Sequence, residues 1–139
     1  MKRGKAIDYS KIIEGYSPLE LFEAVDKGLP AKVYVSIQKK TGLSHAEMAM
    51  ILGVSVRYLK SKKRNDLLST KASERLVKYY ELWNYGLDVF DGNEENFKAW
   101  LKVPITQLNG KTPHEMMKNF IGMEMVKEVL GRIEYGVYS

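Results

Sequence analysis

Residues 44–64 read SHAEMAMILGVSVRYLKSKKR, and their spacing is that of two short helices joined by a glycine turn. Ser44 is a favoured N-cap, and Glu47 three residues later completes a capping-box pattern. Ala49 supplies the small side chain needed where two helices cross, and Gly53 supplies a turn with positive φ. Apolar residues that would lock the two helices together stand at Met48, Leu52, Val54 and Leu59. This spacing predicts a helix-turn-helix.

The second helix of this motif is expected to run from Ser55 to Arg64 and to present a basic face. Such a helix lies in the major groove of DNA, with its first side chains at base edges and its basic end near phosphates. The candidate DNA-binding residues are Ser55, Val56, Arg57, Lys60, Ser61 and Arg64. The alternative is that the basic end is only a solvated helix end, where cations favour the helix dipole. Lys62 also departs from the motif, which usually has an apolar residue there.

Charge is distributed unevenly along the 139 residues. Residues 1–70 hold 13 Lys/Arg and 7 Asp/Glu, whereas residues 71–139 hold 9 and 10. The first part can therefore neutralise phosphates, and the second has an ordinary near-neutral surface. We expect the two halves to have different partners.

The apolar patterns outside this motif are almost all helical. Their predicted limits are about 17–27, 31–40, 76–90, 94–101, 112–122 and 123–135. The 76–90 helix has the clearest period, because apolar residues recur on one face at Leu76, Tyr80, Trp83, Leu87 and Phe90. Val33-Tyr34-Val35 is rich in β-formers, so a strand is an alternative there. The sequence predicts an all-α fold.

The chain ends in LGRIEYGVYS, residues 130–139. Leu130 and Ile133 extend the apolar stripe of the last helix, and Gly136 stands where a helix commonly stops in a left-handed conformation. The short tail beyond it carries an aliphatic residue, a tyrosine and a carboxylate. Two interpretations stay open at this point: the tail packs on its own core, or it inserts into a partner.

The chain has no pattern typical of a catalytic or metal site. It contains no cysteine, and His45 and His114 each fall in the first turn of a predicted helix rather than in a metal-ligand spacing. Glu94 and Glu95 are explained by the preference for acids at a helix N-terminus. We therefore expect no enzyme activity, no catalytic residue, no metal and no cofactor. The absence of a membrane-length apolar run and of a secretory signal predicts a cytoplasmic protein.

Several motifs, in order, carry a resemblance to a known family. They include Leu-Gly-Val-Ser at 52–55, Leu-Asn-Gly-Lys-Thr-Pro at 108–113 and Gly-Arg-Ile-Glu-Tyr-Gly-Val-Tyr at 131–138. The chain resembles the Xre/MbcA/ParS-type antitoxins, the partners of RES-domain toxins in bacterial type II toxin–antitoxin pairs. The resemblance extends from about Pro18 to Ser139, and the last two motifs are its more specific part.

The resemblance implies an N-terminal Xre-like helix-turn-helix domain, residues 1–68, and a small helical toxin-binding domain, residues 69–139. It implies a RES toxin that consumes or transfers from NAD, and operator DNA through which the antitoxin represses its own operon. A homodimer or a higher assembly with the toxin is expected. The residues implied to obstruct the toxin's NAD pocket are Arg132, Tyr135, Gly136, Val137, Tyr138 and Ser139. The alternative function is a stand-alone helix-turn-helix regulator whose C-terminal half only dimerises.

Overall fold

The computed structural model describes residues 7–136, and over that range the regular structure is helical, as the sequence predicts. The α-helices, in chain order, are α1 (Lys11–Gly15), α2 (Pro18–Lys27), α3 (Ala31–Thr41), α4 (His45–Leu52), α5 (Val56–Ser61), α6 (Thr70–Val89), α7 (Glu94–Leu101), α8 (Pro113–Met116) and α9 (Phe120–Glu134). A 3-10 turn at Thr106–Leu108 precedes α8. Helix α1 was not predicted, and its N-cap Ser10 makes no side-chain capping bond.

Three helices begin with a complete capping box, in which a side-chain oxygen and a glutamate satisfy two backbone N–H groups reciprocally. Ser17 caps α2, Ser44 caps α4 and Thr112 caps α8, each with a glutamate three residues later. In α8 the backbone N–H of Thr112 donates to Glu115 and lowers the pKa of its carboxyl group. These starts lie where the sequence predicts them, because capping is decided within four residues.

The chain divides into two compact units, one ending at Leu76 and the other beginning at Val77. The division falls inside α6, so this helix contributes its first turns to one unit and the rest to the other. The predicted domain boundary between residues 68 and 69 stays a prediction; it lies just before α6 begins.

The first unit has its core on α3, α4 and α5. Val33-Tyr34-Val35 lies within α3, so the strand alternative is wrong for that segment. The buried side chains of these helices include Val33, Ile37, Met48, Ile51, Leu52 and Leu59. Three of the four residues predicted to lock the helix-turn-helix are thus buried, and the fourth, Val54, is half-buried.

The helix predicted to reach Arg64 ends at Ser61, which corrects the sequence analysis. The cause is a set of backbone hydrogen bonds to the start of α3, whose N-cap Pro30 makes no side-chain capping bond. The N–H groups of Ala31 and Lys32 donate to the carbonyls of Asp66 (2.8 Å) and Arg64 (2.9 Å). The chain after Ser61 forms a turn at Arg64 and Asn65, in which the Asp66 N–H donates to the Lys63 carbonyl, so it does not continue the helix.

The second unit is organised around an aromatic cluster between α6 and α7. The centre of the Phe97 ring lies 5.1 Å from the centre of the Trp83 ring and 5.5 Å from that of Phe90. The Trp100 ring packs against those of Phe90 and Phe97. Gly86 permits this approach, because a Cβ at that position of α6 would overlap the Phe97 ring. Helix α8 packs on both α7 and α9.

The break between the last two helices also differs from the prediction. It lies between Met116 and Phe120, whereas the sequence analysis placed it near Gly122. Asn119 is the reason: its side chain accepts the Gly122 N–H at 2.8 Å and so caps a helix that begins at Phe120. Gly122 lies inside the first turn of α9.

The predicted apolar stripe of α6 is buried over most of its length. Leu76, Tyr80 and Trp83 are buried, whereas Leu87 and Phe90 are half-buried. Trp83 is 2% exposed, so its predicted place in the core is confirmed.

Replacement of Trp83 by alanine is expected to lower the free energy of unfolding by about 3–5 kcal/mol, because a large aromatic side chain leaves a cavity when it is removed from a packed core. Urea denaturation followed by circular dichroism measures this loss. The control is Phe22→Ala, which removes an aromatic ring that is 67% exposed. Equal losses for the two variants would contradict the core assignment of Trp83.

Candidate functional site

Helices α4 and α5 pack on each other as a helix-turn-helix. Gly53 joins them with φ +70°, and the Val54 N–H donates to the Ala49 carbonyl at 3.0 Å. Ala49 is buried, as expected of the small residue at a helix crossing. Arg75 of α6 stabilises the turn, because its guanidinium donates to the Ile51 carbonyl at 3.3 Å. The predicted motif is therefore present.

Helix α5 is held by contacts that leave its basic side open. The Tyr34 hydroxyl donates to the Leu59 carbonyl at 3.2 Å, and the Tyr58 hydroxyl accepts the Ser69 N–H at 2.8 Å. Burial raises the pKa of Tyr34 above its ordinary value. Ser55 caps the helix by accepting the Tyr58 N–H at 3.0 Å.

The structure brings five of the six candidate DNA-binding residues together at α5. Ser55, Arg57, Lys60 and Ser61 are exposed there, and Val56 is half-buried. Arg64 is exposed too, but it lies in the turn after the helix. The surface therefore consists of a short helix with two cations and a loop that continues the basic run.

Arg64 has a partner that is distant from it along the chain. Its guanidinium donates to the Tyr9 hydroxyl and lies 5.0 Å from the centre of the Tyr9 ring. The Lys32 ammonium lies 4.8 Å from the same ring centre. Tyr9 therefore gathers two cations beside the helix-turn-helix, although it is 55 residues from Arg64 in sequence.

The end of α9 presents the candidate toxin-binding residues that lie within the described range. Tyr135 is 81% exposed, and Arg132 is exposed with a guanidinium nitrogen 4.0 Å from a carboxylate oxygen of Glu128. Gly136 has φ +67° and its N–H donates to the Ile133 carbonyl, so the predicted left-handed stop is confirmed. Val137, Tyr138 and Ser139 lie outside the described residues.

The end of α9 is tied to α6 by a side-chain hydrogen bond. The Tyr85 hydroxyl donates to Glu134 at 3.2 Å, and partial burial together with this bond raises the pKa of Tyr85. A raised tyrosine pKa means that the stabilisation is fully present at neutral pH and is lost only as the pH rises past the ordinary value of about 10. The sequence analysis did not identify Tyr85.

An open cavity of about 320 Å³ lies beside this hydrogen bond, between α6 and α9. Its lining residues are Lys78, Glu81, Leu82, Tyr85, Met123, Glu124 and Lys127. The two lysines and two glutamates balance each other, and Lys78 pairs with Glu81 at 3.5 Å. The charges that line the cavity therefore do not favour a ligand of either sign.

The two histidines lie apart from these surfaces. His45 is exposed with its Nδ1 3.4 Å from Gln38, and His114 is half-buried in α8. Within residues 7–136 no three histidine or acidic side chains come together in a way that would hold a metal ion. None of the helices in that range is long and apolar enough to cross a membrane.

Two family models match successive parts of the chain. Residues 20–79 match the antitoxin Xre-like helix-turn-helix domain, and residues 86–136 match the C-terminal toxin-binding domain of the Xre/MbcA/ParS antitoxins. The chain belongs to the Xre/MbcA/ParS-type antitoxin family. The first match contains α5 with its basic face, and the second contains α9 as far as Gly136.

Two curated relatives agree with this family. The chain is 26% identical over 116 residues to "Antitoxin Xre" of Photorhabdus laumondii, an alignment that covers 83% of this chain and 78% of that protein. It is 25% identical over 120 residues to "Antitoxin Xre" of Yersinia enterocolitica, with 86% and 81% covered. The antitoxin thus combines a helix-turn-helix domain with a toxin-binding domain.

Proposed function

We propose that this antitoxin binds and neutralises a RES-domain toxin, one that consumes NAD or transfers ADP-ribose from it, as half of a type II pair in the cytoplasm. We further propose that it represses its own operon through the helix-turn-helix. The observation that carries the proposal is the presence, in one chain, of a helix-turn-helix with an exposed basic helix and of a domain of toxin-binding type. The uneven charge of the two halves supports two different partners.

The DNA-binding surface proposed is the exposed side of α5 with Arg64 beyond it. Ser55, Val56 and Arg57 at the start of α5 would meet base edges, whereas Lys60, Ser61 and Arg64 would meet phosphates. A helix of six residues makes few base contacts, so a single copy binds operator DNA weakly. Affinity rises when two or more copies are held together, because the second contact becomes intramolecular. A homodimer or an assembly with the toxin would hold them.

The tail is the proposed means of neutralisation. A pocket for NAD must hold two ring systems and a pyrophosphate, so it offers apolar slots next to groups that bind anions. Tyr135 is exposed at the end of α9, and the tail adds Val137, Tyr138 and Ser139. Gly136, already left-handed, lets the backbone leave the helix axis at low conformational cost. A short tail on a rigid helix loses little entropy on insertion.

Arg132 supports the same proposal from the helix itself. It lies one turn before Gly136, and its guanidinium can form two parallel hydrogen bonds with a carboxylate on the toxin. Its contact with Glu128 is long and exposed, and surface ion pairs of this kind contribute little to stability.

Co-expression with the product of the adjacent open reading frame tests the function as a whole. We expect that product to be a RES-domain protein that arrests growth alone, and we expect the antitoxin to restore growth and to purify with it. The stand-alone regulator would leave growth arrest unchanged and purify without the neighbour. That result would contradict the proposal.

Two substitutions separate base contacts from phosphate contacts. Arg57→Ala is expected to reduce the preference for the promoter DNA over unrelated DNA. Lys63→Ala, which removes an exposed cation of the basic run between α5 and Arg64, is expected to weaken binding to both alike. Each phosphate contact that is lost should lower the salt dependence by about one unit of slope. Fluorescence anisotropy over a salt series measures both effects.

The control for this pair is Lys98→Ala, which removes a cation from α7, outside the helix-turn-helix. It should leave DNA affinity unchanged. Repression of its own operon would be excluded if the protein failed to shift its own promoter DNA at low salt, both with and without the toxin.

Deletion of Gly136–Ser139 is expected to restore NAD turnover by the complex, while the fold and detectable toxin binding remain. The reason is that the tail blocks the pocket but contributes little to the core. Arg132→Ala should weaken neutralisation without abolishing it. Turnover is measured on the purified complex at equal stoichiometry. Complete silencing by the truncated antitoxin would show that inhibition comes from coverage elsewhere.

A further inference from the structure

The outer face of α9 carries a regular stripe of its own. Ile121, Met125, Glu128, Arg132 and Tyr135 follow one another in steps of four, three, four and three residues. At 3.6 residues per turn such steps keep side chains on one line along a helix. The side chains turned into the core of the unit lie on the other side of α9: Met123, Val126, Val129 and Leu130. The helix therefore has two faces, and only the inner one is used in folding.

The outer stripe exposes apolar surface that folding leaves unused. Ile121 is 74% exposed, Met125 is 38% exposed and Tyr135 is 81% exposed. Single exposed apolar residues are normal on soluble proteins, whereas a cluster on one element marks an interaction surface. Ile121 and Met125 are one turn apart, and Phe120 beside them is also exposed. They form such a cluster at the start of α9.

The occupant follows from where this cluster lies. The segment 86–136 is of toxin-binding type, and its exposed large apolar side chains in the described residues are Val103, Phe120, Ile121, Met125 and Tyr135. Three of the five are on α9, and a fourth, Tyr135, is its C-cap residue. A toxin that buries the exposed large apolar side chains of this domain therefore covers α9.

We infer that the stripe from Ile121 to Tyr135 is one docking surface for the toxin, with its anchor at the start of α9 and its blocking end at Tyr135. This inference rests on the proposed function, and it names the part of the domain that supplies affinity. Ile121 and Met125 enter an apolar groove on the toxin, in the way that amphipathic helices dock through residues one turn apart. The two ends are about 21 Å apart at 1.5 Å per residue.

The middle of the stripe fits a groove with a charged rim. Glu128 and Arg132 present opposite charges at a separation of 4.0 Å, both exposed. Such a surface pair is weak and can be exchanged for partners on the toxin. The anchor and the tail lie at opposite ends of the stripe. We therefore expect that toxin affinity and the blocking of the NAD pocket can be lost separately.

The test uses the full-length antitoxin and the RES-domain protein encoded beside it. Ile121→Glu should weaken toxin affinity about 30-fold or more, mainly through faster dissociation, as replacement of a central anchor does. At saturating antitoxin the variant should still suppress NAD turnover, because the tail is intact. Deletion of Gly136–Ser139 should give the converse: nearly unchanged affinity and restored turnover.

Two further variants keep the outcome unambiguous. Val103→Glu is the matched control, since Val103 is an exposed apolar residue of the same domain that lies outside α9, and its affinity should change less than about 3-fold, well under hot-spot size. The double variant Ile121→Ala/Met125→Ala removes the anchor without adding charge, and it should weaken affinity as Ile121→Glu does. Thermal unfolding and promoter binding should match wild type for all three.

The failure of this inference is distinct from the failure of the proposed function. Wild type that neither binds nor silences the RES-domain protein would overturn the function. Wild type that binds, together with Ile121→Glu and the double variant binding equally tightly, would overturn the anchor. Equal weakening by Val103→Glu would also overturn it, because the effect would then not be specific to α9.

Discussion

The backbone hydrogen bonds between the start of α3 and the segment after α5 constrain the helix-turn-helix unit. A helix leaves its first N–H groups without partners, and α3 lacks a side-chain cap because its N-cap is Pro30. The carbonyls of Arg64 and Asp66 fill that role, and the Leu68 N–H donates to the Leu29 carbonyl in return. Helix α5 is limited to about two turns, and the turn that follows it places Arg64 beside Tyr9.

In the second unit, buried and exposed side chains lie on different faces of α9, and the exposed face is a surface for binding. The cluster of Trp83, Phe90, Phe97 and Trp100 supplies stability, together with the inner face of α9. The outer face of α9 contributes little to that core, so its residues are available for a partner. Because the two faces of α9 have different roles, a substitution that changes toxin affinity need not change the stability of the fold. Helix α5 has the same division, with Leu59 inside and Arg57 and Lys60 outside.

Local sequence determined a large part of this fold. The capping boxes at Ser44 and Thr112, the turn at Gly53 and the stop at Gly136 are decided within a few residues, and all four lie where the sequence predicts them. The spacing of apolar residues was enough to predict the helix-turn-helix and the buried start of the α6 stripe. The positions of the basic candidates on α5 followed from the same spacing, because a helix turns by a constant angle per residue.

Tertiary structure alone decided which residues surround the candidate sites, and it contributes to where α5 ends. The pattern of residues 55–64 is compatible with a longer helix, but the helix ends at Ser61, and carbonyls of the turn beyond it accept N–H groups of α3. Tyr9 beside Arg64 and Tyr85 beside Glu134 are likewise partners across 55 and 49 residues. The outer stripe of α9 could be recognised only from the structure, which shows which residues of this helix are buried. Such contacts depend on how distant segments pack, and the pattern along one segment does not encode its neighbour.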